Sequence, residues 1–402
     1  MNILFLTLVK ISSLEDGGIF PDLLLKFRQE GHNIYIISPT ERRDKLKTHI
    51  IEEKNTKILR VKTLNIQKAN FIEKGLGILA VENQYFKALK SYFSSVKFDL
   101  VLYSTPPITF SKIIQFVKER DKAYSYLLLK DIFPQNAVDM KMIKKDGVLH
   151  KMFLKKEKRL YEISNKIGCM SKANVDFIIN HYPEVDVTKL EINPNSIIPS
   201  KKEITLQAKE YIKIKYKLPL DKKIFVYGGN LGRPQGLDFL LKTIREVKNK
   251  DVFYLIVGSG TEFSKIKLFF DTEKPNNAKL LKGLPKKEYD VLLNSCDIGL
   301  IFLHRDFTIP NFPGRFLSYL EMGMPVIAAT DKNTDLGKVI EQNNCGYWLE
   351  SGDIEAMKNI TTKILSDNKK LEEMKNNAWS LLLKDYNVDR SYNLIMKEFE
   401  HV

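Results

Sequence analysis

The chain has 402 residues, 44% of them apolar, which is enough to bury two full cores and indicates two or three domains. No apolar run reaches the roughly 18 residues that a membrane-spanning helix needs, so we expect no such helix. The opening MNILFLTLVK lacks a small-residue cleavage site and predicts a buried strand, not a signal peptide. The three cysteines are far apart and the six histidines form no helical i, i+4 pair, which argues against a disulfide framework and a metal centre.

The formal net charge is +15. An excess of this size suits nucleic acid, an anionic membrane face or a phosphate-rich substrate, although a generally lysine-rich proteome explains it equally well. Nucleic acid has the least support of the three, because the chain contains no recognisable basic-aromatic motif or zinc finger. We therefore expect no nucleic-acid partner.

Strand-like apolar runs alternate with helical periodicity along most of the chain. The first set is NILFLTLV, NIYIISP, KILRVK, FDLVLYS, AYSYLLLK and KIGCMS, and the second is KIFVYGG, DVFYLIVGSG, KLLKG, DIGLIFL, PVIAAT and CGYWLE. Runs of this kind separated by helices indicate parallel sheets covered on both faces. The two sets predict an α/β protein with two Rossmann-like domains, at 1–200 and 201–384, and a C-terminal helix at about 385–402 that packs back on the first domain.

Two features of the first half follow strands, where ligands bind in open parallel sheets. The stretch EDGGIF places Gly17 and Gly18 in a loop between a strand and a helix. In LLLKDIFPQNAVD, Asp131 comes directly after a strand. The sequence leaves two interpretations of Asp131 open, a site carboxylate and a helix N-cap.

The stretch KMIKKDGVLHKMFLKKEKRL, residues 141–160, holds eight Lys or Arg against two acids. Together with Met152, Phe153 and Leu154, this composition predicts a basic helix at an anionic membrane surface, and a solvated surface helix is the alternative. Residues 70–86 are a second candidate for lipid contact. The predicted membrane-facing residues are Lys151, Phe153, Lys155, Lys156 and Lys158.

A glycine-rich turn, GGNLGRPQG at 228–236, lies between a predicted strand and the predicted helix LDFLLKTIREV. Glycines let main-chain N–H groups approach an anion at a helix N-terminus, and the Arg233 guanidinium suits phosphate oxygens. The turn therefore predicts an anion site, with a solvated arginine on a structural turn as the alternative. The stretch GSGTEF at 258–263 lacks the third glycine of a dinucleotide fingerprint, so it favours a tight turn near a ligand over an NAD site.

The stretch NFPGRFLSYLEMGMPVIAATD, residues 311–331, predicts a helix that begins near Pro313 and Gly314. Its Glu321 is flanked by apolar residues and needs a partner if it is buried. Since phosphate repels a carboxylate, the natural partner is the hydroxyl pair of a ribose. The stretch thus indicates a nucleotide site, and a partly exposed helix glutamate is the alternative.

In combination, these stretches resemble the glycosyltransferases of family 4, with the GT-B architecture of two Rossmann-like domains facing a cleft, over essentially the whole chain. The resemblance is carried by the Gly17–Gly18 loop with the following helix that ends in EGH, and by GGNLGRPQG, LIVGSG and FPGRFLSYLEMGMPVIA. The stretches STPPITF and LLLKDIFPQNAVD are similar to those of bacterial N-acetylfucosamine transferases of capsule and O-antigen assembly.

The resemblance implies a retaining enzyme that moves a sugar, such as the N-acetylated deoxyaminosugar L-FucNAc, from a UDP-sugar to an undecaprenyl diphosphate-linked saccharide. It implies no metal or other cofactor, and a peripheral location on the cytoplasmic face of the cell membrane. The implied catalytic residues are Asp131, Arg233 and Glu321. The implied donor contacts are Gly17, Gly18, Gly229, Asn230, Gly232, Gln235, Gly236, Gly258, Gly260, Leu284, Pro313, Gly314 and Arg315.

Two positions depart from the family pattern. The E-x7-E motif retains only its second glutamate, Glu321, because Pro313 stands at the first position. The usual phosphate-binding lysine, two residues after Arg233, is Gln235. The leaving diphosphate therefore has one fewer expected cation, and Arg315 is the candidate replacement.

The family implies a front-face reaction, in which the acceptor hydroxyl attacks on the side from which the diphosphate leaves. No carboxylate pair is placed as in a double-displacement glycosidase. Two alternatives use the same nucleotide site. A UDP-sugar epimerase of the same architecture would release a free epimerised sugar nucleotide, and a non-catalytic sugar-nucleotide-binding protein would show no turnover.

Overall fold

The computed structural model describes residues 1–66, 71–201 and 204–399, with residues 71–76 described by their main chain. The chain divides into two units: unit 1 comprises Met1–Ile198 and Val388–Val402, and unit 2 comprises Pro199–Asn387. The first residue of the predicted lipid-contact segment 70–86 and the last three of the predicted helix 385–402 lie outside the described residues.

Unit 1 is an α/β layer structure around one sheet. Its strands are β1 Asn2–Leu6, β2 Asn33–Glu41, β3 His49–Glu53, β4 Thr56–Thr63, β5 Leu100–Ser104, β6 Tyr124–Leu129, β7 Lys166–Cys169 and β8 Leu190–Ile192. Its helices up to residue 198 are α1 Ile19–Gln29, α2 Phe71–Tyr92, α3 Ser111–Asp121, α4 Gln135–Asp139, α5 Val148–Ile163 and α6 Lys172–His181.

Within the described residues, the strand order of this sheet is β3-β4-β2-β1-β5-β6-β7-β8. All neighbouring pairs are parallel except β3 and β4. Strand β5, LVLYS, is buried along its whole length, as expected for a strand covered by helices on both faces. The order reverses between β1 and β5, so the carboxyl ends of these two strands mark the ligand-binding edge of unit 1.

Unit 2 repeats the architecture. Its strands are β9 Lys223–Asn230, β10 Val252–Ser259, β11 Ala278–Lys282, β12 Ile298–Phe302, β13 Val326–Thr330 and β14 Gly346–Glu350. Its helices are α7 Leu206–Lys215, α8 Leu237–Glu246, α9 Phe263–Glu273, α10 Lys286–Asn294, α11 Arg315–Glu321, α12 Leu336–Gln342, α13 Ile354–Ser366 and α14 Asn368–Asp385. The sheet order in the described residues is β11-β10-β9-β12-β13-β14, entirely parallel.

Helix α8 shows how the sequence positions the candidate site of unit 2. Its apolar residues recur at helical spacing, and Leu237, Leu240 and Ile244 are buried in the core beside β9 and β10. The opposite side carries polar residues. The helix therefore lies against the sheet with its N-terminus at the carboxyl end of β9, where the order of the strands reverses.

The last helix, α15 Val388–Met396, packs on unit 1. The N–H of Val388 donates to the carbonyl of Ile197 at 3.0 Å, and the Ser391 hydroxyl lies 2.6 Å from Oδ1 of Asn193. Ile395 is fully buried in the core of unit 1. Polar contacts and apolar burial together hold the end of the chain on the first unit.

The structure confirms the α/β fold class, and every strand-like run named from the sequence forms a strand. Strands β3 and β8 were missed. Strand β3, HIIEE, lies at the sheet edge and is only partly buried, so its sequence lacks a long apolar run. Strand β8 has three residues, too few for periodicity to register.

The prediction of one basic helix over 141–160 is wrong. Helix α5 begins at Val148, and the preceding segment contains two residues, Lys141 and Asp146, with φ of 56° and 61°. Left-handed residues interrupt a right-handed helix. Among the described helices, none combines the length and the apolar character required to cross a bilayer.

Candidate functional site

The glycine turn after β9 exposes main chain at the carboxyl edge of unit 2. Gly229 has φ of 117°, and no atom lies within 4 Å of the position that a Cβ would take there. Gly229 and Asn230 are both exposed, while Gly232 is buried and precedes a short 3-10 turn at Arg233–Gln235. The Tyr227 hydroxyl donates to the Asn230 carbonyl at 2.9 Å and fixes the start of the turn.

Gly236 joins this turn to α8 and requires glycine for two reasons. Its φ is 56°, and a Cβ would lie 2.7 Å from the carbonyl oxygen of Leu303. The N–H of His304 also donates to the carbonyl of Pro234 at 3.0 Å. The loop that follows β12 therefore packs main chain to main chain against the turn that follows β9.

The GSG stretch after β10 packs on the same turn. A Cβ on Gly258 would lie 2.1 Å from the Gly229 carbonyl oxygen, and one on Gly260 would lie 2.3 Å from that of Leu231. The two interpretations from the sequence were a ligand-adjacent turn and a structural turn. The geometry gives these glycines a packing function, because the groups that approach them belong to the protein itself.

A cavity of about 340 Å³ opens beside the turn. Arg233 and Lys265 contribute cationic side chains to it, and the Nζ of Lys265 forms ion pairs with Asp238 at 2.5 Å and Glu262 at 3.5 Å. Arg233 therefore lines an open, polar space at the N-terminus of α8, where an anion is favoured. The lining residues are Arg233, Gly236, Leu237, Asp238, Glu262, Lys265 and His304.

Arg315 is the first residue of α11 and is only partly exposed. Its Nη2 donates to Oε1 of Gln235, and its guanidinium carbon lies 4.2 Å from the ring centroid of Tyr227. Burial acts to lower the pKa of Arg315, but the electrostatic effect of Tyr227 and Tyr319 raises it overall. Arg315 therefore remains a cation and lies beside Gln235. Gln235 itself occupies the position at which the family pattern has a lysine.

Helix α11 is held on the sheet by its own buried residue Tyr319, which is hydrogen-bonded to main chain of β9 and β12. The Tyr319 hydroxyl lies 3.2 and 3.1 Å from the carbonyl oxygens of Val226 and Leu300, which share its single proton as acceptors, and it accepts from the N–H of Gly228 at 3.3 Å. Glu321, half-buried, is the last residue of this seven-residue helix. The three remaining predicted donor contacts lie in loops at the same edge of the sheet, Leu284 after β11, and Pro313 and Gly314 after β12.

In unit 1, the Gly17–Gly18 loop is closed by a carboxylate of its own helix. The N–H of Gly18 donates to Oδ1 of Asp22 at 3.0 Å, and the N–H of Ile198 donates to Oδ2 at 2.9 Å. Asp22 lies in the first turn of α1 and is buried. The N-terminus of α1 is thus occupied by a protein carboxylate.

Asp131 lies two residues beyond the carboxyl end of β6. Burial raises the pKa of its carboxyl to about 6. Hydrogen bonds from the N–H of Ile132 and from Nδ2 of Asn136, the latter at 2.6 Å, lower the pKa and partly offset the effect of burial. The N-cap of α4 is Pro134, so the interpretation of Asp131 as a helix N-cap is wrong. The neighbouring Lys130 is also perturbed, since burial lowers its pKa to about 7. Two groups that titrate near neutrality make this edge a site candidate.

Glu157 is fully buried in α5. It accepts hydrogen bonds from the hydroxyls of Tyr161 at 2.7 Å and Tyr182 at 2.5 Å. Burial raises the pKa of Glu157 to about 8, and the hydrogen bonds from the two tyrosines oppose this shift. The carboxyl is therefore largely neutral at pH 7 and does not offset the lysines on the surface of α5.

On the surface of unit 1, Lys151 and Lys155 are exposed, and the Nζ of Lys158 pairs with Glu184 at 2.8 Å. Lys156 and Phe153 are partly buried, and the ring centroid of Phe153 lies 5.0 Å from that of Phe133. The exposed apolar side chains at this end of the helix are instead Met142, Val148 and Leu149, at 49%, 85% and 47% exposure.

Three features of these sites were missed from the sequence. Tyr227 directly precedes the turn, whereas Lys265 and His304 come from separate stretches that only the folded sheet brings to it. His304 had a usable signal, because LHRD directly follows an apolar strand. Among the described residues, no group of three or more His, Cys, Asp or Glu side chains is arranged to hold a metal ion, and all three cysteines are buried and unpaired.

Residues 208–380 match the family model described as "Glycosyl transferases group 1". This range contains Arg233, Gln235, Arg315 and Glu321. The match covers less than half of the chain, and the solved structures that are similar to the chain show the GT-B fold of two Rossmann-like domains.

Among the relatives, the probable glycosyltransferase WbjE of Pseudomonas aeruginosa is 22% identical over 297 residues, covering 72% of this chain and 71% of that protein. The putative colanic acid biosynthesis glycosyl transferase WcaI of Escherichia coli K12 is 25% identical over 127 residues, 31% of this chain and 30% of that protein. The crystal structure of Anabaena HepE in complex with UDP has a TM-score of 0.72 and 14% identity, with complete coverage of both chains.

We expect Gly236→Ala to destabilise unit 2 by more than about 1 kcal/mol, because it adds a Cβ at positive φ against the Leu303 carbonyl. The matched control is Gly283→Ala, where the nearest atom to the new Cβ lies 3.5 Å away. Urea unfolding of both variants measures the difference. Equal stabilities would contradict the requirement for glycine at Gly236.

We expect Glu157 to make the protein less stable as the pH rises from about 4.5 to about 8. Its pKa is raised on folding, so the folded state binds more protons than the unfolded state across this window. Relative to Glu157→Gln, which cannot lose a proton, the wild type should lose up to about 1.4 kcal/mol per pH unit. Urea unfolding at several pH values measures this difference, and a difference independent of pH would contradict the assigned shift.

Proposed function

We propose that the chain is a group 1 glycosyltransferase, a retaining enzyme that transfers a sugar from a UDP-sugar to a lipid diphosphate-linked saccharide in surface polysaccharide assembly. The observation that carries the proposal is the turn after β9, which exposes main chain at Gly229, carries Arg233 on the wall of the cavity and holds Arg315 through a hydrogen bond to Gln235. A helix N-terminus and guanidinium groups stabilise the negative charge of a leaving diphosphate. Sugar transfer is supported by the relative WbjE, a probable glycosyltransferase, and polysaccharide assembly by the relative WcaI, whose name assigns it to colanic acid biosynthesis.

In the proposed donor complex, the diphosphate lies on the turn after β9, and the ribose hydroxyls donate to Glu321. The UDP complex of HepE, whose fold this chain shares, supports UDP as the nucleotide. Arg233 lines the cavity at the N-terminus of α8, and its charge faces the space that the phosphates would fill. Because Arg233 and Arg315 can neutralise the diphosphate, the proposed reaction uses no metal ion.

The proposed chemistry is a front-face substitution. The oxygen of the acceptor hydroxyl bonds to the anomeric carbon while the bond from that carbon to the phosphate oxygen breaks on the same face. The hydroxyl proton passes to the departing phosphate oxygen, so the diphosphate acts as its own base. The contribution of the protein is to stabilise the negative charge that grows on the diphosphate.

Unit 1 supplies the proposed acceptor contacts. Asp131, with its pKa near 6, is ionised at neutral pH and can accept a hydrogen bond from a sugar hydroxyl of the acceptor. The Asn136 amide, which donates to the Asp131 carboxylate, holds it in place. We propose an N-acetylated deoxyaminosugar such as L-FucNAc as the transferred sugar, on the resemblance of STPPITF and LLLKDIFPQNAVD. Turnover of a panel of labelled UDP-sugars with membranes that carry lipid-linked acceptors tests this assignment.

The proposed location is the cytoplasmic face of the cell membrane, on which unit 1 docks through α5 and the segment before it. This part of the chain carries exposed lysines, among them Lys151 and Lys155, and the exposed apolar residues Met142, Val148 and Leu149. Cations attract anionic headgroups, and apolar side chains insert at the interface. If the acceptor is linked to a lipid, docking on the membrane raises the local concentration of acceptor at the enzyme.

We expect Arg233→Ala to lower kcat with a UDP-sugar by about 10²- to 10³-fold, because a phosphate contact that stabilises the transition state is lost. The matched control is Arg245→Ala, which removes an exposed arginine paired with Glu273 at the other end of α8. Thermal melts check that both variants fold, and an assay in EDTA checks the proposed metal independence. Near-normal turnover by folded Arg233→Ala would reject the assignment.

We expect Glu321→Ala to weaken UDP binding by about 10- to 100-fold and to abolish the preference for UDP over its 2′,3′-dideoxy analogue, because a charged acceptor for the ribose hydroxyls is lost. Calorimetric titration of both ligands measures the preference. The control is Glu341→Ala, which removes an exposed glutamate of α12. If Glu321→Ala discriminates as well as wild type, Glu321 does not bind the ribose.

We expect replacement of Lys151, Lys155, Lys156 and Lys158 by Gln to reduce binding to anionic vesicles, by about 1 kcal/mol for each lysine near the surface. Activity on lipid-linked acceptor should fall with it, while activity on a short water-soluble acceptor survives. Vesicle co-sedimentation and parallel assays measure both. The control replaces four exposed lysines of unit 2, namely Lys250, Lys274, Lys338 and Lys369. Equal loss of activity on both acceptors would remove the membrane argument.

A further inference from the structure

The turn that follows β2 carries an excess of exposed cations at the ligand-binding edge of unit 1. Residues 41–47 read ERRDKLK, four cations against two acids. All four cationic side chains are exposed, and a fifth exposed cation lies in the turn after the neighbouring parallel strand β1. The two turns lie side by side at the carboxyl edge of the sheet, where ligands bind. The five residues form what we call the basic edge: Lys10, Arg42, Arg43, Lys45 and Lys47.

The acids of this turn help to build it. The Asp44 carboxylate accepts from the N–H of Glu41 at 3.1 Å and lies 3.5 Å from the Nζ of Lys10, which joins the turns after β1 and β2. Glu41 is buried, accepts from the N–H of Ile66 at 3.1 Å and pairs with Arg43 at 2.7 Å. The two carboxylates therefore fix the shape of the turn, and their ion pairs take up Lys10 and Arg43.

The other three cations of the basic edge have no carboxylate partner. Among the residues that the structure describes, Arg42, Lys45 and Lys47 form no ion pair. In the loop after β1, Glu15 is already paired with Arg28 at 2.5 Å. Exposed cations on a turn of fixed shape attract anions and raise their local concentration. Three of them together suit a ligand that carries more than one negative charge.

Two exposed apolar side chains adjoin these cations in the chain. Leu46 stands between Lys45 and Lys47 and is 50% exposed, and Val9 precedes Lys10 and is 45% exposed. A free phosphate or a nucleotide would use the cations and leave both apolar side chains in water. A ligand that joins an anionic group to a hydrocarbon chain would engage the cations and the apolar side chains together.

The position of the basic edge sets its distance from Asp131. The order β2-β1-β5-β6 places three strand spacings between the turn after β2 and the end of β6, which Asp131 follows. At the usual spacing of neighbouring strands, this separation is about 14 Å. A ligand that reaches both points needs a spacer between its hydroxyl and its anionic group. The saccharide of a lipid diphosphate-linked acceptor is such a spacer.

We propose that the basic edge binds the diphosphate of the lipid-linked acceptor, with Val9 and Leu46 in contact with the start of its lipid chain. The inference rests on the proposed function, because it assigns a site in unit 1 to the acceptor that this function requires. Arg42, Lys45 and Lys47 supply the charge for this contact, since the protein does not pair them internally. The site is separate from the donor diphosphate, which the proposed function places in unit 2.

Calorimetric titration with geranyl diphosphate, in the presence of saturating UDP, tests this assignment. UDP fills the donor site in advance, so that binding of the probe reports a second diphosphate site. We expect the triple variant Arg42→Gln, Lys45→Gln, Lys47→Gln to bind the probe about 10- to 100-fold more weakly than wild type, because three surface cations are lost. The affinity for UDP should stay unchanged. The single variants Lys45→Gln and Lys47→Gln should each show part of the loss.

The matched control removes the same amount of charge from the opposite edge of the same sheet. It replaces three exposed lysines that precede strands by Gln, namely Lys54, Lys97 and Lys122. This variant should bind geranyl diphosphate as wild type does. Thermal melts check that both triple variants fold, and the single variants carry the test if the first triple variant does not.

Four results would overturn this inference while the donor site stands. One is a wild-type protein that binds UDP but not geranyl diphosphate, or that releases geranyl diphosphate when UDP is added. A second is equal affinity of the two triple variants for geranyl diphosphate. A third is an equal loss for geraniol, which lacks the diphosphate.

The fourth result is an equal loss of binding to anionic vesicles that contain no prenyl diphosphate, because the basic edge would then be a general membrane surface. Wild-type protein that binds neither UDP nor a UDP-sugar would instead reject the proposed function, and this inference with it.

Discussion

The candidate site of unit 2 depends on the contact of main chain with main chain at the carboxyl edge of its sheet. Gly236 meets the Leu303 carbonyl, Gly258 meets that of Gly229, and Gly260 meets that of Leu231. With no Cβ at these positions, the turns that follow the three neighbouring strands β10, β9 and β12 pack in close contact. The outer face of the turn after β9, at Gly229, is left open as exposed main chain.

The two arginines near these turns, Arg233 and Arg315, have different surroundings. Arg233 faces an open cavity, where a neighbouring lysine is already paired with two carboxylates. Arg315 is held by a neutral amide and an aromatic ring, with one nitrogen left without a partner. An exposed cation is stabilised by water, but an enclosed one retains the full cost of its desolvation until an anion binds.

Unit 1 follows a different principle, in which burial sets the protonation of its carboxyls. Asp131 and Glu157 lie in the same unit, yet their pKa values are raised to about 6 and about 8. Asp131 remains an anion at neutral pH and can accept hydrogen bonds as a carboxylate. Glu157 is largely neutral at that pH and is hydrogen-bonded to two tyrosines in the core under α5. The surface of α5 therefore has a higher positive charge than its composition indicates.

The sequence alone determined the fold class, because apolar runs separated by amphipathic helices have few other solutions than parallel sheets with helical layers. It also located the glycine turn and Arg233, since both lie within a few residues of one strand. It could not locate β3 and β8, which are short or lie at an edge, nor the start of α5, where two left-handed residues stop the helix.

Only the tertiary structure decided which residues share a site. The contact of Arg315 with Gln235 joins residues 80 positions apart, and His304 reaches the turn because β12 is the neighbour of β9 in the sheet. Likewise, the return of α15 to unit 1 depends on a core made by strands at the other end of the chain. Local sequence encodes strand, turn and helix through backbone preference and periodicity, whereas strand order, burial and the resulting pKa values arise only when distant segments exclude water together.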